Sequence, residues 1–103
     1  MTASRRPKAT PQLDLAQAAT LFAVPARTEM LLALQDREAC SAGELALCAG
    51  VSASTASSHL AYLLDQGLLA VEQQGRRRVF RLADPQVSAA LEALRLLAGL
   101  PRR

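Results

Sequence analysis

The chain has 103 residues, half of them apolar, with 12 Lys and Arg against 9 Asp and Glu and a formal net charge of +3. That length fits one domain, and with only two Phe, one Tyr and no Trp the core must be built from leucine, valine and alanine, which favours helices. No run approaches the roughly 18 apolar residues of a membrane span, and no apolar segment follows the basic N-terminus, so the chain reads as soluble and cytoplasmic, without a membrane partner.

Residues 1–12 read as a flexible basic arm carrying Arg5, Arg6 and Lys8; an ordered domain spans 13–100, and 101–103 form a tail with Arg102 and Arg103. Leu15, Ala18, Ala19 and Phe22 recur at helical spacing and mark a first helix that ends before Pro25. Pro25 opens a second helix with Met30, Leu31 and Leu34 on one face, breaking between Asp36 and Cys40. "SAGEL" announces a third, short helix. Ser41 is its N-cap and Glu44 completes a capping box, with Leu45 and Cys48 expected to face inward. "AGVS" closes it, Gly50 supplying a positive φ and Ser52 capping the next helix within a few residues, which makes a helix-turn-helix.

On the fourth helix Ala56, Leu60, Leu63 and Leu64 form a narrow buried stripe. Ser54, Ser57 and Ser58 lie opposite, Thr55, His59 and Tyr62 occupy one flank, and Gly67 stands where a C-terminal cap belongs. "LLAVEQQ" and "RRRVFRL" then read as the strands of a hairpin turning near Gly75. A last helix over Pro85–Leu97 carries Val87, Ala90, Leu91, Leu94 and Leu97 at helical spacing. The expected fold is mainly α with a small β-hairpin, in the order ααααββα.

Serine and threonine are poor helix formers, so their density at the start of the fourth helix needs a reason beyond the single cap at Ser52. Small hydroxyls at the N-terminal end of a helix in the major groove approach closely and offer donors and acceptors to base edges and phosphates. Arg76 and Arg77 at the hairpin tip add the charge that reaches phosphates or a minor groove. Arg78 and Arg81 lie in the strand beyond, where at least one is expected to pair with Glu72. The DNA-facing set is therefore Ser52, Ser54, Thr55, Ser57, Ser58, His59, Arg76, Arg77 and Arg78. Leucines around much of the last helix, including Leu96, exceed what one small domain buries and point to a second copy.

Together "PARTEMLLAL", "SAGELALCAGVSASTASSHLAYLLDQGLL" and "QGRRRVFRL" resemble the ArsR/SmtB winged helix-turn-helix repressors over roughly residues 15–97. The resemblance implies a homodimeric repressor of double-stranded operator DNA, released by an effector. It also implies dimerisation through the first and last helices, with Leu15, Ala19, Phe22, Val87, Leu91, Leu94 and Leu97 at the interface. Metal ligands found in many members, a Cys-x-Cys on the third helix or Asp and His on the last, are absent. The lone His59 sits at the recognition helix's "HL" position, where it packs or touches a phosphate.

No cofactor is assigned, and the effector stays open: a thiol oxidant, a persulfide, or a thiophilic metal with ligands from both subunits, sensed at Cys40 or Cys48. Cys48 reads as a small core residue, whereas Cys40 gains thiolate character beside a helix N-terminus. Eight positions apart, about 12 Å if helical, the two cannot form a disulfide within one chain. One histidine, two separated cysteines and no phosphate loop assemble no catalytic constellation, so no enzyme is expected. The competing reading is a winged-helix protein-interaction module that does not bind DNA.

Overall fold

The computed structural model describes residues 14–100; the N-terminal arm and the tail expected at 1–12 and 101–103 lie outside them, as does Leu13. Helix α1 spans Leu15–Leu21 and α2 Pro25–Arg37, followed by a two-residue strand β1 (Cys40–Ser41), α3 (Ala42–Ala49), α4 (Ala53–Asp65), β2 (Leu69–Gln74), β3 (Arg77–Leu82) and α5 (Pro85–Leu97). Every expected helix and both hairpin strands are present. The addition is β1, which pairs antiparallel with β3 through Cys40 opposite Phe80 and Ser41 opposite Val79, giving a three-stranded sheet of order β1-β3-β2. The order is thus ααβααββα.

Local signals start and stop these elements. Asp14 caps α1 in a capping box with Gln17, and Ser41 caps α3 in a box with Glu44. Pro25 and Pro85 sit in the first turns of α2 and α5, where a missing N–H costs nothing. Helix α2 ends at Glu38, whose φ of 73° and ψ of −47°, with Ala39 N–H donating to the Arg37 carbonyl at 2.8 Å, form a γ-turn that swings the chain into β1.

Leu21, Met30, Leu31, Leu34, Leu45, Leu60, Leu63 and Cys40 form the centre of the core, between α2, α3, α4 and the sheet. Two arginines are buried beside it, and each continues an apolar stripe: Arg27 that of Met30, Leu31 and Leu34, and Arg95 that of Val87 and Leu91. Arg27 donates from Nε to the Leu21 carbonyl at 3.2 Å and from Nη2 to the Thr20 carbonyl at 3.1 Å, which also accepts from Ala23 N–H, so its guanidinium caps the end of α1. Arg95 Nη2 donates to Gln35 Oε1 at 2.9 Å, and Gln35 Nε2 reaches Ser88, so a polar chain ties α5 to α2.

Val87 and Leu91, expected at a dimer interface, belong instead to the chain's own core. They share one side of α5 with Arg95; Leu94 stands at the edge of that side, Leu97 beyond it at 85% exposure, and Leu96 on the opposite side at 68%. Leu15 on α1 is 87% exposed, Ala19 is also open, and Phe22 is half-buried. No helix among the described residues is long and apolar enough to cross a membrane.

Candidate nucleic-acid interface

The turn between α3 and α4 sets the angle of the exposed helix. Gly50 adopts φ 68°, and the bonds from Gly50 N–H to Leu47 and from Val51 N–H to Ala46 are those of a Schellman motif. A side chain at this φ would be strained, so glycine lets the chain leave α3 and start α4 only three residues later. Ser52 then caps α4 by accepting from Thr55 N–H at 3.1 Å. Corresponding Schellman bonds end α4 at Gly67, as its position leads one to expect.

Helix α4 buries Ala56, Leu60 and Leu63 and leaves Ser54, Thr55, Ser57 and Ser58 exposed, with Leu64 and His59 half-buried at the margins. The hydroxyls divide into two groups. Ser52 Oγ donates to Thr55 Oγ1 at 3.1 Å and lies 3.3 Å from Ser54 Oγ, so these three form one cluster at the N-terminus. Among the described residues the Ser57 and Ser58 side chains have no hydrogen-bond partner, which leaves their donors and acceptors to solvent or to a ligand. Tyr62 lies further along, its ring 5.0 Å from the Arg27 guanidinium. That contact, missed in the sequence, fixes the flank of α4 against the start of α2; the readable signal was an arginine on the apolar stripe of α2.

In the hairpin, Gln74 pairs with Arg77, so Gly75 and Arg76 form a two-residue loop with glycine at φ 64° in the first position, as II′ turns require. Arg76 stands exposed at the tip. Arg77 forms an ion pair with Glu44 on α3, and Arg78 stacks over Phe80 at 5.4 Å. Arg81 Nε lies 3.0 Å from Glu72 Oε1, the cross-strand partnership expected of one strand arginine. Of the two arginines expected to supply the wing's charge, only Arg76 is uncommitted among the described residues.

Glu44 has two tasks. Its Oε1 accepts from Ser41 N–H at 2.8 Å and also from Arg77 Nη2. The backbone hydrogen bond first, and then the Arg77 charge, hold its carboxyl below the usual glutamate range. A depressed carboxylate contributes stability above its unfolded pKa and loses it as pH falls through the folded value, so this brace between α3 and the wing weakens only in acid, as pH falls below the ordinary glutamate range.

The cysteines reverse the expected ranking. Cys40 is fully buried in β1, and burial first, then Glu44, raises its pKa. Cys48 is exposed. With each helical residue advancing about 100°, the buried face of α3 centres between Leu45 and Ala46, and Cys48 turns past its edge. Among the described residues no group of three or more His, Cys, Asp or Glu is placed to hold a metal ion.

The chain is 41% identical over 81 residues to the uncharacterized HTH-type transcriptional regulator YdfF of Bacillus subtilis, a match covering 79% of this chain and 36% of that longer protein. It is 33% identical over 87 residues to the HTH-type transcriptional regulator YgaV of Escherichia coli, covering 82% of this chain and 88% of the relative. The NMR structure of the cadmium metal-sensor CmtR of Mycobacterium tuberculosis matches with a TM-score of 0.69 and 34% identity, over 86% of this chain and 91% of that one. The homodimeric winged helix-turn-helix DNA-binding domain of a possible ArsR-family regulator from Mycobacterium bovis matches with a TM-score of 0.74 over 82% and 78% of the chains; its 24% identity makes this a likeness of fold alone. The MarR family's sequence model matches residues 25–78, the segment from the start of α2 through the hairpin tip. That match spans more than half of the chain and contains both helices of the helix-turn-helix, so the chain belongs to the MarR family and is a winged helix-turn-helix transcriptional regulator.

Proposed function

We propose that the chain is a dimeric repressor of the ArsR/SmtB kind. Two copies pair through α1 and the exposed side of α5, and each sets α4 into the major groove of one operator duplex with its hairpin tip on the flanking backbone. The observation that carries this reading is the free edge of α4. Among the described residues, Ser57 and Ser58 project unpartnered from a helix whose opposite side is locked into the core, next to a hairpin whose tip arginine is uncommitted. Small hydroxyls read base edges at close approach, the α4 N-terminus favours phosphate, and Arg76 adds sequence-independent attraction.

Within this reading the roles of the arginines differ. Arg76 contacts phosphate or a minor groove, whereas Arg77 is a brace that fixes the wing to α3 through Glu44. For the effector, Cys48 is the thiol that an oxidant or persulfide meets first, since Cys40 lies inside the core. The described residues of one chain do not fit a thiophilic ion: one sulfur is buried in a strand, and among them no third donor accompanies the pair.

Gel retardation on the DNA upstream of the chain's own gene tests the proposal. Sequence-selective retention below about micromolar protein is expected, falling steeply with salt, and Arg76→Ala is expected to flatten the salt slope by about one unit. Retention indifferent to sequence, or no retention at low salt, contradicts it and favours an interaction module.

A further inference from the structure

The apolar stripe of α4 holds the helix to the core, but hydrophobic contact is non-directional and sets the roll of a helix about its axis only loosely. Helix α4 packs mainly on α3 and β2. From α2 a directional contact reaches its flank: the Arg27 guanidinium lies 5.0 Å from the centre of the Tyr62 ring. At about 100° per residue Tyr62 stands within about 40° of both Thr55 and Ser58, so this ring shares a stripe with hydroxyls on the open edge of α4. Tyr62 is 42% exposed, and Arg27 backs it from inside.

Arg27 is 9% exposed, and a guanidinium buried this far must have its charge and its donors met. Beyond the ring, its Nε and Nη2 hold the Leu21 and Thr20 carbonyls, at the end of α1 where the helix dipole favours a cation. The next residue, Thr28, donates from Oγ1 to the Phe22 carbonyl at 2.6 Å. Three successive carbonyls at the end of α1 are thus held from the first turn of α2, and a shift of α1 moves the guanidinium under Tyr62.

We infer that Arg27 is a positioning residue for sequence recognition, linking the end of α1 to the reading edge of α4 through Tyr62, so that operator discrimination depends on a side chain that does not touch DNA. This role rests on the repressor reading above, in which α1 meets the second copy and α4 meets the groove. The way two chains meet and the angle at which each offers Thr55 and Ser58 then become one coupled setting. The fit of hydroxyls to base edges depends on that angle, whereas attraction to phosphate hardly does.

Competition retardation on variants of the full chain, with the operator and a duplex of scrambled sequence, tests the role. Tyr62→Leu is expected to lower the operator-to-scrambled affinity ratio about fivefold, the worth of one cation–π contact, while the salt slope is kept and affinity for the scrambled duplex stays within about twofold. Tyr62→Phe keeps the ring and is expected to keep the ratio. Arg27→Lys keeps the charge but not the fork that spans two carbonyls, and is expected to lose as much as Tyr62→Leu, with little further loss when the two are combined. Tyr62 is partly exposed, so both of its variants are expected to fold, as thermal melts check, and they decide the matter even where Arg27→Lys does not fold. An unchanged ratio in Tyr62→Leu, an equal loss in Tyr62→Phe, which makes the hydroxyl itself a DNA contact, a full ratio in a folded Arg27→Lys chain, or additive losses in a folded double variant would each overturn the inference. The unaltered chain reports on the repressor reading separately: a ratio near one there sinks that reading and this role with it, whereas a discriminating chain with the wrong pattern of variants sinks this role alone.

Discussion

Burial separates the two thiols, and their chemistry follows. Cys40 is held in β1 opposite Phe80, inside the core, with its pKa raised chiefly by burial, whereas Cys48 stands on the open edge of α3. A thiol whose folded pKa lies above its unfolded value of about 8.5 contributes stability below that value and loses it as pH rises through the folded one, so at neutral pH Cys40 stays protonated and inert. A thiol reagent at pH 7 is expected to modify Cys48 rapidly and Cys40 only after denaturant is added, as read by peptide mapping. Equal rates at both sites in the folded chain would contradict the placement of β1. Arginines follow the same logic of position. Arg27 and Arg95 lie on apolar stripes and are buried, Arg77 and Arg81 find carboxylates, and Arg76 at the turn finds none among the described residues.

Among the elements, α4 shows a division of labour along one helix. Its inner edge of Ala56, Leu60 and Leu63 holds it to the core, its first hydroxyls serve the cap, and Ser57 and Ser58 serve neither purpose. Replacing both with alanine is therefore expected to leave stability within about 0.5 kcal/mol, or to raise it slightly through better helix propensity, while operator discrimination falls about tenfold. Thermal melts and competition retardation check the two halves; unchanged discrimination would remove the reading role from this edge. The Ser41–Glu44 capping box, the proline starts and Gly50 were legible in the sequence because each acts within a few residues of itself, whereas the Asp14–Gln17 box was not read there. β1 was not, because a two-residue strand exists only through Val79 and Phe80, about 40 positions away. Cys48 was misjudged because in a two-turn helix a small rotation of the buried face moves a residue from core to surface.

For the whole molecule, the outer side of α5 together with α1 leaves Leu15, Leu94, Leu96 and Leu97 open to solvent, an apolar surface that a monomer of this size gains by covering. The sequence showed the excess of leucine along α5 but not its division: Val87 and Leu91 answer to the core, whereas Leu94, Leu96 and Leu97 are left exposed.

In the proposed repressor two chains act on one duplex, and the mass of the protein–operator complex tests this most directly. Sedimentation of the chain with a short duplex carrying the operator is expected to yield a single species of two chains per duplex, persisting as protein is diluted toward the dissociation constant. A complex of one chain per duplex, with the free protein monomeric at the same concentrations, would contradict it.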